Sequence, residues 1–95
     1  MNLFQLSASV VQVQTLRYTP AGIPALNIVL EHESEVTEMD TLRQVKVQLK
    51  AVVFGAQAEV LARSGLDTSY HVHGFLTNVR NGKGLLFHIQ HFSKT

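Results

Sequence analysis

The segment from Gln44 to Val53 constrains the fold most strongly, because apolar and polar residues alternate along it. From Val45 to Val53 every second residue is apolar, and the positions between them begin Lys, Gln, Lys. A period of two places the two sets on opposite faces of a β-strand, with the apolar face covered and the polar face in water. The chain therefore has to build a sheet with one buried face.

Four more segments carry strand signals and one carries helical spacing. In the first strand the alternation breaks at Val10–Val11, where a bulge is expected. The helix is expected to end at Gly65, a residue type suited to the left-handed C′ position. The other predicted strands are Leu3–Val13, Ala25–His32, Ser69–Val79 and Leu85–Phe92, and the helix is Ala56–Ser64.

Three segments are predicted as connections. Tyr18–Pro24 holds two prolines and a glycine, which mark a loop. The acidic stretch Glu33–Asp40 is polar and aperiodic, so we expect a long loop there. Arg80–Gly84 contains Asn-Gly, a strong hairpin-turn signal.

The resulting order is strand, strand, strand, helix, strand, strand. Five strands with one short helix between the third and fourth is the order of the OB fold, an all-β barrel. The chain of 95 residues is long enough for one domain, expected to span 1–95. An SH3-like barrel is the competing architecture, although such barrels rarely carry a helix of this length at that point.

Charge is distributed unevenly although the net charge is only +1. Five of the seven acids fall between Glu31 and Asp40, and the basic residues lie elsewhere. This separation predicts a basic face and an acidic loop. There is no cysteine, no signal-peptide pattern and no apolar run long enough to span a bilayer, so we expect a cytoplasmic protein without a membrane partner.

Five short segments match one family in order. They are Tyr18-Thr-Pro-Ala-Gly-Ile-Pro24, Ile28-Val-Leu-Glu-His-Glu-Ser34, Arg43-Gln44, Phe54-Gly55 and Val72-His-Gly-Phe-Leu76. In these the chain resembles the family of primosomal replication protein N, PriB, which is related to single-stranded-DNA-binding proteins. The resemblance implies an OB-fold homodimer that helps restart stalled replication forks. Its partners would be single-stranded DNA, the helicase PriA and other primosome proteins.

Single-strand binding needs cations for the phosphates and flat rings for the bases. In an OB barrel these lie on the outer face of the second and third strands and on nearby loops. Glu33 stands where some relatives carry a basic residue, and Lys46 where some carry an aromatic, so we expect weak binding. The candidate binding residues are Arg17, Tyr18, Lys46, Lys50, Arg80 and Lys83.

Apolar residues on the last two strands suggest a dimer interface. Phe75 should point outward if Val72, Gly74 and Leu76 face the interior, and a dimer contact or core filling is favoured over base stacking. The candidate interface residues are Phe75, Leu86 and Phe92.

Catalysis and metal binding find little support. No nucleophile motif or phosphate loop is present, so an enzyme and a cofactor are not expected. His71 and His73 share one face of a strand, but no cysteine or acid lies close to them in the sequence. His88 and His91 are expected on opposite faces. No metal site is therefore predicted.

Two other binding classes remain open. One is a protein-interaction adaptor with little DNA affinity, favoured by Glu33 and the sparse charge. The other is a general single-strand-binding protein, although such proteins usually end in a disordered tail with an acidic tip, whereas this sequence ends at Thr95.

Overall fold

The computed structural model describes residues 1–95 and confirms the OB-fold barrel. Five long strands close on themselves, because β1 pairs with β5 on one side and with β3 on the other, in the order β1-β5-β6-β4-β3-β2. β6 runs parallel to β4, and the other pairs are antiparallel. The elements are β1 Phe4–Val13, β2 Arg17–Tyr18, β3 Pro24–Glu38, β4 Thr41–Phe54, α1 Ala56–Arg63, β5 Ser69–Asn78 and β6 Leu85–Lys94.

The core is built from the inward positions of the strands. Leu26, Leu30 and Val53 are fully buried, and Val72 and Phe87 complete the centre of the barrel. Helix α1 adds Ala58 and Leu61 to the same cluster, as its spacing predicts. Gly65 follows the helix at a φ of 77°, in the left-handed region expected of a C′ glycine. No helix of the protein is long and apolar enough to cross a membrane.

Two bulges set which side chains face inward. In β1, Val10 pairs with Leu30 and Gln12 with Val29, so the expected bulge lies at Val11. In β6, His91 pairs with His73 and Ile89 with Gly74, which leaves Gln90 as an extra residue. Because residues directly opposite one another share a face, His88 and His91 both face outward. The expectation that they point to opposite faces was wrong, since it assumed an unbroken period of two.

The acidic stretch is not a loop, which corrects the expectation for Glu33–Asp40. β3 continues to Glu38 and pairs with β4 throughout, with Glu38 opposite Thr41. Met39 and Asp40 form the two-residue turn, with φ angles of 50° and 62°, as type I′ hairpin turns require. The stretch looked aperiodic because polar residues occupy both of its faces.

This extension makes β3 and β4 a hairpin that stands away from the barrel. β1 pairs with β3 only as far as Glu31, and β6 pairs with β4 only from Ala51 to Val53. The molecule is accordingly elongated, 51 × 29 × 21 Å. We call residues 32–47 the projecting hairpin. The predicted burial of the apolar face of β4 holds for Ala51 and Val53, whereas Val47 is 40% exposed.

Candidate nucleic-acid interface

Three predicted cations line two adjoining depressions, one on the outer face of β4 and one at its edge, where the inward-facing Val47 and Leu49 also take part. β4 presents Lys50 outward, on the opposite side from Ala51, and the β5–β6 connection brings Arg80 and Lys83 beside it. Two adjoining depressions share Lys50 and Val79; Arg80 and Leu86 line the first, and Lys83 and Leu85 line the second. We call these two depressions the basic groove.

The charges of the basic groove are not neutralised within the chain. The ion pairs of the protein involve only Arg43 and Lys46, both on the projecting hairpin. Lys50, Arg80 and Lys83 therefore have no ion-pair partner within the chain and are free to contact an external anion.

Arg17 reaches the edge of the same groove through β2. Arg17 donates from Nη2 and Nε to Oδ1 of Asn27, at 3.1 and 3.4 Å, and Asn27 lines the first depression. Tyr18 is 59% exposed but follows Arg17 directly in the strand, so its side chain points to the opposite side of β2 and does not join the groove. Four of the six candidate binding residues are thus brought to one surface, namely Arg17, Lys50, Arg80 and Lys83.

Lys46 does not join the groove. It lies on the outer face of the projecting hairpin, directly opposite Glu33, and its Nζ is 3.4 Å from Glu33 Oε1 and 3.9 Å from Glu31 Oε1. Glu35 continues the row and accepts a hydrogen bond from Gln44 at 2.7 Å. We call Glu31, Glu33 and Glu35 the acidic ladder. Because three carboxylates face one ammonium, this stretch of the outer face is negative.

A stack of three rings lies on the outer face next to the groove. The His88 ring is 4.7 Å from the Phe75 ring at 14°, and 6.2 Å from the Phe54 ring at 28°. Val52, between Lys50 and Phe54 on the same side of β4, is buried, but on β6 Leu86 of the groove lies two residues from His88 of the stack on the same face. Phe54 is 44% exposed, and the three rings line an open depression. We call Phe54, His88 and Phe75 the ring platform.

His88 is held in place as the middle ring. Its Nε2 lies 3.1 Å from the Thr77 hydroxyl, and burial lowers the pKa of His88 below the ordinary imidazole value. A neutral imidazole between two phenyl rings presents a flat surface of the kind on which a base can stack.

Sequence reasoning missed Phe54 and His88. A signal for Phe54 was present, because it lies an even number of residues from Lys46 and Lys50 and so faces outward at the end of β4. The position of His88 could not be derived, since its pairing with Phe75 depends on the bulge at Gln90.

The three candidate interface residues do not share one face. Phe75 belongs to the ring platform, and Leu86 lines the basic groove. Phe92 faces inward, where its ring meets that of buried Tyr70 edge-on at 5.3 Å. The dimer interface therefore stays a prediction.

The exposed histidines of β5 do not assemble into a metal centre. Nδ1 of His71 lies 3.0 Å from the Ser7 hydroxyl, and His73 lies opposite His91. No three His, Cys, Asp or Glu side chains are clustered so as to hold a metal ion.

Comparison with known proteins agrees with this geometry. Residues 2–91 match a family model described as "Another single-strand binding protein family". The replication restart protein PriB of Bordetella pertussis is 45% identical over 80 residues, which cover 84% of this chain and 75% of the relative. The PriB of Neisseria meningitidis serogroup B is 43% identical over 76 residues, covering 79% of this chain and 74% of the relative.

Solved structures show the same fold. The PriB structure from Ralstonia solanacearum has a TM-score of 0.87 at 37% identity and covers 99% of this chain and 97% of that one. A single-stranded DNA binding protein from Thermus aquaticus has a TM-score of 0.78 at 18% identity; the match covers all of this chain and 50% of that one, and it speaks for the fold alone.

Proposed function

The chain belongs to the replication restart protein PriB family of single-strand binding proteins, and from this premise we propose that it binds single-stranded DNA during replication restart. The observation that supports the proposal is that Leu86 of the basic groove and His88 of the ring platform lie two residues apart on the same face of β6. Unpaired cations beside exposed rings are the two elements that single-strand binding requires.

The proposed path of the strand follows from charge. Phosphates lie along Lys50, Arg80 and Lys83, and bases stack on the ring platform. The acidic ladder repels phosphates, so the strand leaves the outer face before the projecting hairpin. Rings and phosphate contacts do not distinguish bases, so binding is indifferent to sequence.

The finer parts of the proposal come from the family. They are a non-enzymatic, cytoplasmic protein, a homodimer with Phe75, Leu86 and Phe92 as candidate interface residues, and the helicase PriA with other primosome proteins as partners. The adaptor alternative is favoured by one observation, the neutralisation of Lys46 by the acidic ladder.

Fluorescence anisotropy with a labelled oligothymidylate at several salt concentrations tests the proposal. Each lost phosphate contact on a single strand changes the slope of log affinity against log salt by about 0.7. The double variant Lys50→Ala with Lys83→Ala should therefore bind more weakly, with a slope flatter by about 1.4.

A matched control removes the same charge elsewhere. Arg63→Ala with Lys94→Ala takes two cations from the end of α1 and the end of β6, and it should leave the slope unchanged. Equal loss in both double variants would show a non-specific charge effect, and no binding by the wild type would favour the adaptor.

A further inference from the structure

Three exposed histidines continue the outer face of β5 and β6 beyond the ring platform. On β5, His73 lies two residues from Phe75 and so points to the same side, and His71 lies two residues further along. On β6, His91 is directly opposite His73, and the platform pair of Phe75 with His88 is the next outward pair along the two strands. All three are exposed, whereas His88 is half-buried. We call His71, His73 and His91 the histidine row.

The side chains directly beside the histidine row are uncharged. β1 places Gln5 opposite His73 and Ser7 opposite His71, and β6 places Ser93 on the other side of His71. The Ser7 hydroxyl lies 3.0 Å from Nδ1 of His71, which leaves Nε2 of that ring without a hydrogen-bond partner in the chain. No imidazole of the row forms an ion pair with a carboxylate. The three rings are therefore free to contact an external group.

Charged groups bound the histidine row at its far end, away from the ring platform. A depression beside Ser7 is lined by carboxylates of β3, and one more acid is exposed in the connection before β5. β5 and β6 themselves contain no acidic residue. Toward the platform the row therefore faces no carboxylate. The bounding groups are Glu31, Glu33 and Thr95 around the depression, Asp67 before β5, and Lys94 on the inner side of β6.

Imidazole gives this surface a charge that depends on pH. Histidine is the side chain whose ordinary charge change falls between about pH 8 and about pH 5. At the upper end of this range the row offers flat neutral rings, and at the lower end it offers cations that donate from N–H groups. Cations next to flat rings are what single-strand binding requires.

We propose that the histidine row is a proton-dependent phosphate site, which carries a single strand along β5 and β6 beyond the ring platform. The proposal rests on the proposed function, because it lengthens the same DNA path. From Phe75 the row extends the path by four residues of strand, or about 13 Å, as far as His71. Glu31 and Glu33 repel phosphates at the far end, so the path stops before β3. As the pH falls, the protein gains both affinity and length of site.

Fluorescence anisotropy with a labelled oligothymidylate at several salt concentrations, at about pH 8 and about pH 5.5, tests the proposal. Thymine takes up no proton in this range, so a change in binding reports on the protein. The slope of log affinity against log salt should steepen at the lower pH by about 0.7 for each imidazolium on a phosphate, up to about 2 for the row.

A triple variant assigns the pH response to these three side chains. His71→Gln with His73→Gln and His91→Gln should bind like the wild type at the higher pH and should lose the steepening at the lower pH. The variant keeps His32 and His88, so any response that belongs to those two imidazoles remains in it. Circular dichroism at both pH values checks that the variant is folded.

A charge-gain variant separates the position of the charge from the pH itself. His73→Lys with His91→Lys should show, at about pH 8, a slope steeper than that of the wild type by about 1.4. Val60→Lys with Leu66→Lys adds the same charge at exposed positions on α1 and just after it, and it should leave the slope unchanged. Equal steepening in both variants would show an effect of total charge and would overturn the site.

The outcomes separate this proposal from the proposed function. A wild type that binds at both pH values with one slope, or a triple variant that keeps the full steepening, overturns the phosphate site and leaves the proposed function in place. Binding at the lower pH only, lost in the triple variant, supports the phosphate site and removes the basic groove from the DNA path. Absence of binding at both pH values overturns both proposals.

Discussion

The barrel and the projecting hairpin are made of the same two strands, yet only one of them is packed. Leu30 and Leu49 face each other at the barrel end, where Leu30 is fully buried. The next pair on the same face is His32 and Val47, where Val47 is 40% exposed. Along β4 the alternation of apolar residues is the same on both sides of this boundary.

The difference shows that alternation specifies a strand and that burial needs a further layer. At the barrel end β1 and β6 cover the inner face, and beyond Glu31 neither of them pairs with the hairpin. The hairpin is held by cross-strand pairs such as Arg43 to Glu38 at 2.7 Å. Each of these local contacts contributes little to the free energy of unfolding. We expect the barrel to carry the stability and the hairpin to carry surface chemistry.

The largest test of this contrast compares two truncations on the same face. Leu30→Ala leaves a cavity in a closed core and should cost about 2–5 kcal/mol in the free energy of unfolding. Val47→Ala removes a side chain that is already wet and should cost under about 1 kcal/mol. Urea denaturation measures both. Similar losses would mean that the hairpin inner face is covered in solution.

A second test compares two exposed apolar side chains on the outer face of β4. Phe54→Ala removes a ring of the platform and should weaken single-strand binding by about 1–3 kcal/mol. Leu42→Ala, at the hairpin end, should leave the affinity unchanged. The measurement is anisotropy with an oligothymidylate. A loss confined to Leu42→Ala would move the DNA path onto the hairpin.

A third test strengthens the hairpin without touching the barrel. Met39 and Asp40 hold φ angles that cost an ordinary side chain about 1 kcal/mol or more. Met39→Asn with Asp40→Gly suits a type I′ turn and should slow hydrogen exchange of amides in the hairpin by severalfold. Amides of β5 should exchange as before. A matching rise in global melting temperature would show that barrel and hairpin unfold together.

The smallest expected effect is the pH dependence that His88 adds to the barrel. Because burial lowers the pKa of His88 when folded, the unfolded chain binds more protons, and stability should fall as the pH drops through the ordinary imidazole value of 6.5. Below the folded pKa the loss is complete. His88→Phe should flatten this part of the stability profile, measured by urea denaturation between pH 8 and pH 5. An unchanged profile would assign the effect to other groups.

The fold was predictable where the signal is local. Alternation in Gln44–Val53 and the spacing of Ala58 and Leu61 report strand and helix directly, and their order points to one barrel. The hairpin was not predictable in the same way, because Glu33, Glu35 and Glu38 are satisfied by partners across the turn rather than by a core. Cross-strand pairing between polar side chains leaves no alternation of apolar and polar residues in the sequence.

The binding surface was predictable where strand alternation or the position of a turn determines which way a side chain points. Lys50 follows from the parity of β4, and Arg80 and Lys83 follow from their turn. Lys46 has the right parity, but its neutralisation depends on the register that sets it opposite Glu33. The outward position of His88 relative to His91 depends on the bulge at Gln90, and no single residue in the sequence marks that bulge.

The bulge at Gln90 has an evolutionary consequence. Deleting Gln90 alone would remove the bulge and leave Ile89 opposite Gly74 and His91 opposite His73 in a regular ladder, so Phe92 would keep its contact with the ring of Tyr70. Replacing Gln90 by another residue keeps the frame. Lineages of this chain should therefore accept at position 90 either many residue types or a deletion.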